Sequence, residues 1–200
     1  SLGLATISSV SIVLIGIFLV FSARYYKSAI INFSNRLAIL GYSIPGAVIA
    51  IGILLFVAQV NNFTNYLLTG SLYLLLFAYI VRYLAVAWQP INAGIESNCD
   101  SLNHASQNLG SSALTSLTSV NLPLIKHTML TAGLLVFIDI VKELPLTLIL
   151  RPFNFETLST ATFDLSNQAQ IVESSIPALS MIIIVLAPLV FLNYRLENTK

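Results

Sequence analysis

Five apolar runs, each separated from the next by a polar stretch, leave this chain few ways to fold. They cover about Leu4 to Phe21, Leu37 to Val60, Tyr66 to Trp88, Thr128 to Leu150 and Ile176 to Leu192. A helical bilayer crossing takes about 20 mostly apolar residues. Hydrocarbon offers no partner to a backbone N–H or C=O, so runs of that length cross as helices that satisfy their own backbone. Five crossings and their connections use up the 200 residues. Charged residues make up 8% of the chain and mean hydropathy is +0.87. A soluble domain carries roughly 25% charged residues, and so few charges would not cover one. The expected fold class is all-α, a polytopic membrane helix bundle of about five transmembrane helices, with residues 1–200 as one transmembrane domain.

The net charge of +1 and the lack of a basic run give no reason to expect nucleic acid as a partner. The lone cysteine, Cys99, excludes an internal disulfide and a cysteine-based metal site. The first run follows Ser1 almost directly and has no basic leader before it, unlike a signal peptide. The start therefore reads as a cut through a longer protein. Within the first run, Ser8, Ser9, Ser11 and Gly16 are small enough to let a neighbouring helix come close. In the second, Pro45-Gly46 predicts a local bend. Trp88 suits the membrane interface, and Tyr42, Tyr66, Tyr73 and Trp88 read as core or interfacial aromatics rather than ligands.

Basic residues in short loops stay on the cytoplasmic side. Alternating the runs across a membrane puts Arg24, Lys27, Arg36, Lys126, Arg195 and Lys200 on one side and Arg151 on the other. The long polar stretch Gln89 to Lys126 is then cytoplasmic, as is the carboxyl terminus, and Ser1 lies outside. The expected location is a cell inner membrane, crossed several times.

Inside that cytoplasmic loop, Ile95, Cys99, Leu102, Ala105 and Leu109 recur at helical spacing and predict a short amphipathic helix. Gly110 is placed to end it. Ser111 or Ser112 caps a second short helix through Leu114, Leu117 and Val120, with Pro123 as its expected end. On periodicity alone, the apolar stripe either packs on the bundle and lipid surface or docks a soluble partner.

His104-Ala105-Ser106, three residues, Gly110, nine residues and Val120-Asn121-Leu122-Pro123 resemble the coupling-loop motif of ABC importer permeases. That motif reads Glu-Ala-Ala, three residues, Gly, nine residues, Ile-any-Leu-Pro. Ala105, Gly110, Leu122 and Pro123 match it and Val120 stands in for Ile, while His104 replaces the Glu and Ser106 the second Ala. Gly41 to Gly46 and Tyr79 to Ala85 are also similar to permease segments. Lys142-Glu143-Leu144-Pro145 followed by Arg151 to Leu158 resembles the ferric-iron branch, in particular the second half of those two-part proteins.

The resemblance implies a type I ABC importer permease fold with short cytoplasmic coupling helices in 89–126. It also implies partner ABC ATPase subunits, an external solute-binding protein, and a second permease half or protomer. On this reading the chain binds no cofactor of its own and ATP is consumed by the partner. It has no Gly-x-x-x-x-Gly-Lys-Ser/Thr loop of its own. The implied solute is ferric iron, with thiamine, polyamine or sulfate as alternatives.

Asp139, Lys142 and Glu143 fall at i, i+3 and i+4 in the fourth run and are expected on one helix face. Each costs roughly 2.5–3.5 kcal/mol at a lipid-exposed bilayer centre, so that face should point into the bundle. Lys142 neutralises one neighbouring acid, and Arg82 in the third run is the candidate partner for the other. The cluster reads either as a buried network that sets helix packing or as a polar lining of a translocation path. Two carboxylates beside a lysine make a poor dedicated metal site. An ion-coupled secondary transporter using Asp139 and Glu143 is a competing class. An intramembrane enzyme is not favoured, because His104 and His127 lack a metal-site pattern.

Overall fold

The computed structural model describes residues 1–25, 29–64, 69–98, 106 and 110–197. The described elements are helical: α1 (Leu2–Tyr25), α2 (Ala29–Ile39), a 3-10 turn (Leu40–Ser43), α3 (Gly46–Thr64), α4 (Leu72–Asn98), α5 (Ala113–Ser116), a π turn (Leu117–Asn121), α6 (Leu122–Val141), α7 (Pro145–Leu150), α8 (Leu158–Asn167) and α9 (Ile171–Glu197). Among the described residues four stretches are long and apolar enough to cross a membrane: Leu2–Tyr25, Leu72–Glu96, Leu114–Val141 and Ile171–Val190. A bent pair, Ala29–Ser43 with Gly46–Asn61, makes a fifth if counted as one crossing.

The bend at Pro45 is present and is far sharper than a local kink, at 118°. Proline has no N–H to donate and pushes the residue before it out of helical geometry. Ile44 accordingly adopts φ −91°, ψ 134°. Gly41 lets the 3-10 turn lie against α4, since a Cβ there would overlap the carbonyl oxygen of Val81.

Three long helices make the centre. A Cβ on Gly16 would lie 3.4 Å from Ile91 and 3.6 Å from Ala87, while Arg24 reaches Asn92 at 3.4 Å and Glu96 at 3.5 Å. Helices α1 and α4 therefore run side by side in the same direction. Helix α6 runs against them: Thr128 packs on Gly94, and Thr147, beyond its end, meets Tyr79. Lipid tails are as apolar as leucine, so close packing rather than hydrophobicity drives such contacts. The buried Ser8, Ser9 and Gly16 supply the small surfaces expected of α1. Ile12, Leu75, Ile91, Ile125 and Val136 are fully buried between the three helices.

Two boundaries differ from the sequence reading. Helix α4 does not stop at Trp88 but continues through Pro90 to Asn98, and Trp88 packs on the core, one of the two places expected of it. Ile91 and Ile95, one turn apart and buried, hold the extension down. The fourth crossing begins earlier than Thr128 and ends earlier than Leu150. Pro123 does not terminate a helix; it sits in the first turn of α6, where its missing N–H is tolerated. The wider π turn before it, in which Leu122 N–H reaches Leu117 O, leaves room for the proline ring. The connection between α4 and α5 is correspondingly shorter than Gln89 to Lys126.

Helix α8 lies within the polar Arg151 to Glu173 stretch and opens on a capping box. Thr157 Oγ1 accepts from Thr160 N at 3.3 Å, and Thr160 Oγ1 accepts from Thr157 N at 2.9 Å. Helix α9 folds back on α8 and touches α6, yet no residue of its most apolar stretch is buried within the chain.

Candidate functional site

Pro145 stops α6 as Pro45 stops the second crossing, because it offers no N–H and its ring clashes with the carbonyl four residues back. The last turn tightens, with Glu143 N–H donating to Ile140 O at 3.1 Å, and α7 restarts at Pro145. Glu143 sits in this break and is 7% exposed. Its Oε1 accepts from Leu146 N at 3.1 Å, so the carboxylate satisfies a free amide of the first turn of α7. Its Oε2 accepts from Tyr83 Oη and lies 3.4 Å from Arg82 Nε.

The backbone of Glu143 is engaged as well. Its carbonyl accepts from Thr147 Oγ1 at 3.1 Å and from Ser159 Oγ at 2.7 Å, which brings in α8. Thr147 shares a 2.6 Å hydrogen bond with Tyr79 on α4. Arg82 Nη1 donates to the carbonyl of Ile44, the extended residue at the sharp bend. Gly46, at the start of α3, approaches so closely that a Cβ there would lie 2.7 Å from Glu143 Oε1 and 3.2 Å from Arg82 Cζ. Both helix breaks therefore meet at one buried carboxylate and one guanidinium, on the face of α4 that carries Tyr79, Arg82 and Tyr83.

The structure divides the expected intramembrane charges into two separate pairs. Arg82 partners Glu143. Lys142 Nζ lies 2.8 Å from Asp139 Oδ1, with the lysine side chain on the outside of the chain. Asp139, Lys142 and Glu143 do not share a helix face, because the helix ends at Val141 and Glu143 turns back to cap α7. Among the described residues no group of three His, Cys, Asp or Glu is arranged to hold a metal ion. Tyr79, Tyr83, Thr147, Ser159 and the Ile44 carbonyl were not singled out by the sequence reading. One signal was available: Tyr79 and Tyr83 at i, i+4 face Glu143 and Thr147 at i, i+4.

Of the expected coupling residues, His104 and Ala105 lie outside the described residues. Ser106 is helical and buried. Gly110 has φ +82°, and Ser111 N–H donates to Ser106 O at 3.1 Å, the six-residue closure that ends a helix on a left-handed glycine. Ser112 Oγ accepts from Thr115 N at 3.3 Å and caps α5. Val120 is on the π turn, Leu122 packs against the core, and Pro123 is exposed.

Asn121, between them, is fully buried, and neither Oδ1 nor Nδ2 has a hydrogen-bond partner among the described residues. An unpaired buried polar atom costs about 1–3 kcal/mol. Asn121→Leu is therefore expected to stabilise the protein by about 1–3 kcal/mol, read as a rise in thermal midpoint in detergent; an unchanged or lower midpoint refutes this.

Residues 12–198 match the family model described as binding-protein-dependent transport system inner membrane component. The chain belongs to this family. It is thus a transport permease subunit of an inner membrane system, with the all-helical fold of type I ABC permeases. Among curated relatives, this permease is 29% identical over 165 residues to the Fe(3+)-transport system permease protein FbpB 2 of Haemophilus influenzae. That match takes in 82% of this chain and 32% of the relative, so the chain spans about a third of that protein's length. It is 24% identical over 198 residues to the putative 2-aminoethylphosphonate transport system permease protein PhnV of Salmonella typhimurium, covering 99% of this chain and 72% of the relative. The corresponding protein of Salmonella choleraesuis matches with the same figures.

Proposed function

We propose that this permease is the translocating subunit of an ATP-driven importer of ferric iron, working by alternating access and driven through the Ser106–Pro123 segment by a separate ATPase subunit. The observation that carries the reading is the closure of Ser106 and Ser111 on Gly110, at the motif position, at the end of the bundle that also holds Arg24 and Lys126. By the distribution of basic residues this end and the carboxyl terminus are cytoplasmic.

Helical structure then runs from Leu114 to Val141 across the π turn. At 1.5 Å per residue that is a lever of about 42 Å, and it delivers any displacement of the coupling segment to the break at Glu143. Closure of ATP-loaded partner subunits would pull on this lever and shift the two helix breaks that meet there. Arg82, Tyr83 and Glu143 hold those breaks in the present arrangement, and their charges would re-pair as the bundle reorients. The FbpB 2 likeness supports ferric iron as solute, and the longer PhnV match makes a phosphonate the second candidate.

Gly110 carries the test. Among the described residues a Cβ there meets nothing within 4 Å, so the left-handed backbone is what a substitution strains. A β-branched residue pays about 1–2 kcal/mol in that conformation, whereas asparagine tolerates it. In the intact transporter, Gly110→Val should lower solute uptake at least tenfold with membrane insertion unchanged, and Gly110→Asn should keep most of it. Normal uptake by the valine variant counts against a coupling role. Uptake of labelled ferric iron against labelled 2-aminoethylphosphonate decides the solute.

A further inference from the structure

A groove of about 700 Å³ runs down the outside of the bundle, walled by α1 and α6 and touched by Pro188 of α9. Helices α1 and α6 meet beneath it at Val13 and Gly133, where a Cβ on the glycine would lie 3.6 Å from the valine, an ordinary contact. The missing side chain at 133 keeps the groove open. Val10, Leu14 and Leu130 form its exposed rims. Two hydroxyl residues stand on its wall, but both have their protons committed to α1 itself: Thr6 Oγ1 donates to Leu2 O at 2.8 Å and Ser9 Oγ to Thr6 O at 2.9 Å. The wall therefore suits hydrocarbon. One charged residue lines the groove, the exposed Lys126, and among the described residues no carboxylate pairs with it.

Charge and length together say what fits. Lys126 lies at the end of the bundle that holds Arg24, the cytoplasmic end by the distribution of basic residues, and a lysine stem lies along apolar surface while its ammonium reaches headgroup depth. From Lys126 the groove follows α6 to Phe137, about 17 Å at 1.5 Å per residue. The hydrocarbon core of a bilayer is about 30 Å thick, so this is close to the depth of one leaflet. A crossing helix from another chain calls for a trough nearly twice as long and for a carboxylate of its own to meet Lys126. An anionic phospholipid brings both features at once, a phosphate for the ammonium and, directly beyond it, a tail of one-leaflet length for the apolar wall. Basic pockets between membrane helices on the cytoplasmic side hold anionic headgroups in this way.

We propose that this groove is a binding site for an anionic phospholipid of the cytoplasmic leaflet, with the headgroup phosphate on Lys126 and one acyl chain lying over Gly133 between α1 and α6. The site does not depend on which solute is carried or on how transport is driven. The test uses the intact transporter in phosphatidylcholine nanodiscs doped with phosphatidylglycerol whose acyl chain carries a photoreactive diazirine, against an equal dose of phosphatidylcholine carrying the same group. The α1 and α6 peptides that line the groove should be labelled about fivefold more by the phosphatidylglycerol probe, the preference that one lysine near the surface supplies. Lys126→Gln should bring the two probes to equal labelling. Gly133→Leu, whose Cβ has room, should fill the groove and cut labelling of those peptides by both probes at least fivefold, with labelling elsewhere unchanged. Should the leucine variant fail to fold, the lysine variant decides alone, since it alters no packing inside the groove. Equal labelling by the two probes in the wild type, a preference that survives Lys126→Gln, or groove peptides shielded from lipid by another protein segment overturns the proposal.

Discussion

Glu143→Ala is expected to destabilise the protein by about 3–5 kcal/mol, the range for removing one member of a buried charge pair. The alanine leaves the Arg82 guanidinium without its counter-charge, Tyr83 Oη without its acceptor, and the Leu146 amide uncapped. Folded yield and thermal midpoint in detergent read the loss. Glu143→Gln keeps one oxygen, enough for the Leu146 amide, while its amide nitrogen meets Tyr83 Oη as a donor, so it should lose less. The combination with Arg82→Ala is diagnostic, because it removes the orphaned charge: the double variant should be more stable than Glu143→Ala alone. Simple additivity of the two single losses would mean that Arg82 and Glu143 are not energetically paired.

Gly41→Ala should be damaging for a different reason. The added methyl would overlap the carbonyl oxygen of Val81, a backbone atom that no rotamer change moves aside. Overpacking of this kind costs about 1–3 kcal/mol and sometimes more, and here the relief is to lift the 3-10 turn off α4, which draws the Ile44 carbonyl away from Arg82. Gly52 is the internal control: a Cβ there meets nothing within 4 Å, and it lies inside α3. Gly52→Ala should be neutral or stabilising by up to about 1 kcal/mol. Equal thermal midpoints for the two alanine variants would show that the close approach at Gly41 carries no energetic weight.

Hydropathy made the existence of the long helices readable, because nothing but a helix satisfies the backbone of an apolar run such as Leu4 to Phe21. The break at Pro45 was readable from one residue. The equivalent break at Pro145 was not, since Leu144, Leu146 and Leu148 keep the run apolar and hide the interruption. Pro123 misled in the opposite sense: proline ends a helix when it follows one and is welcome when it begins one, and local sequence did not decide between these. Helix α4 outran its expected end because burial of Ile91 and Ile95 against neighbouring helices outweighs the defect at Pro90, a tertiary effect invisible to a window of residues.

The site was half legible. Charge balance paired Lys142 with an acid and named Arg82 for the other, and both pairings are present. The tyrosines were passed over because in an apolar run they resemble packing aromatics, and only their i, i+4 spacing, repeated by Glu143 and Thr147, sets them apart. Only the path of the backbone through both breaks places the Ile44 carbonyl within reach of the same arginine.

Tyr83 and Glu143 are separated by 60 positions. A ribosome working at roughly 5–20 residues per second delivers the carboxylate about 3–12 s after Tyr83. For that interval the guanidinium has no counter-ion from this chain, and exposing it at the lipid midplane costs roughly 2.5–3.5 kcal/mol. The half-made chain therefore gains from sheltering α4 against the insertion machinery or α1. Slower translation between the two codons would prolong the stage at which that charge is unpaired.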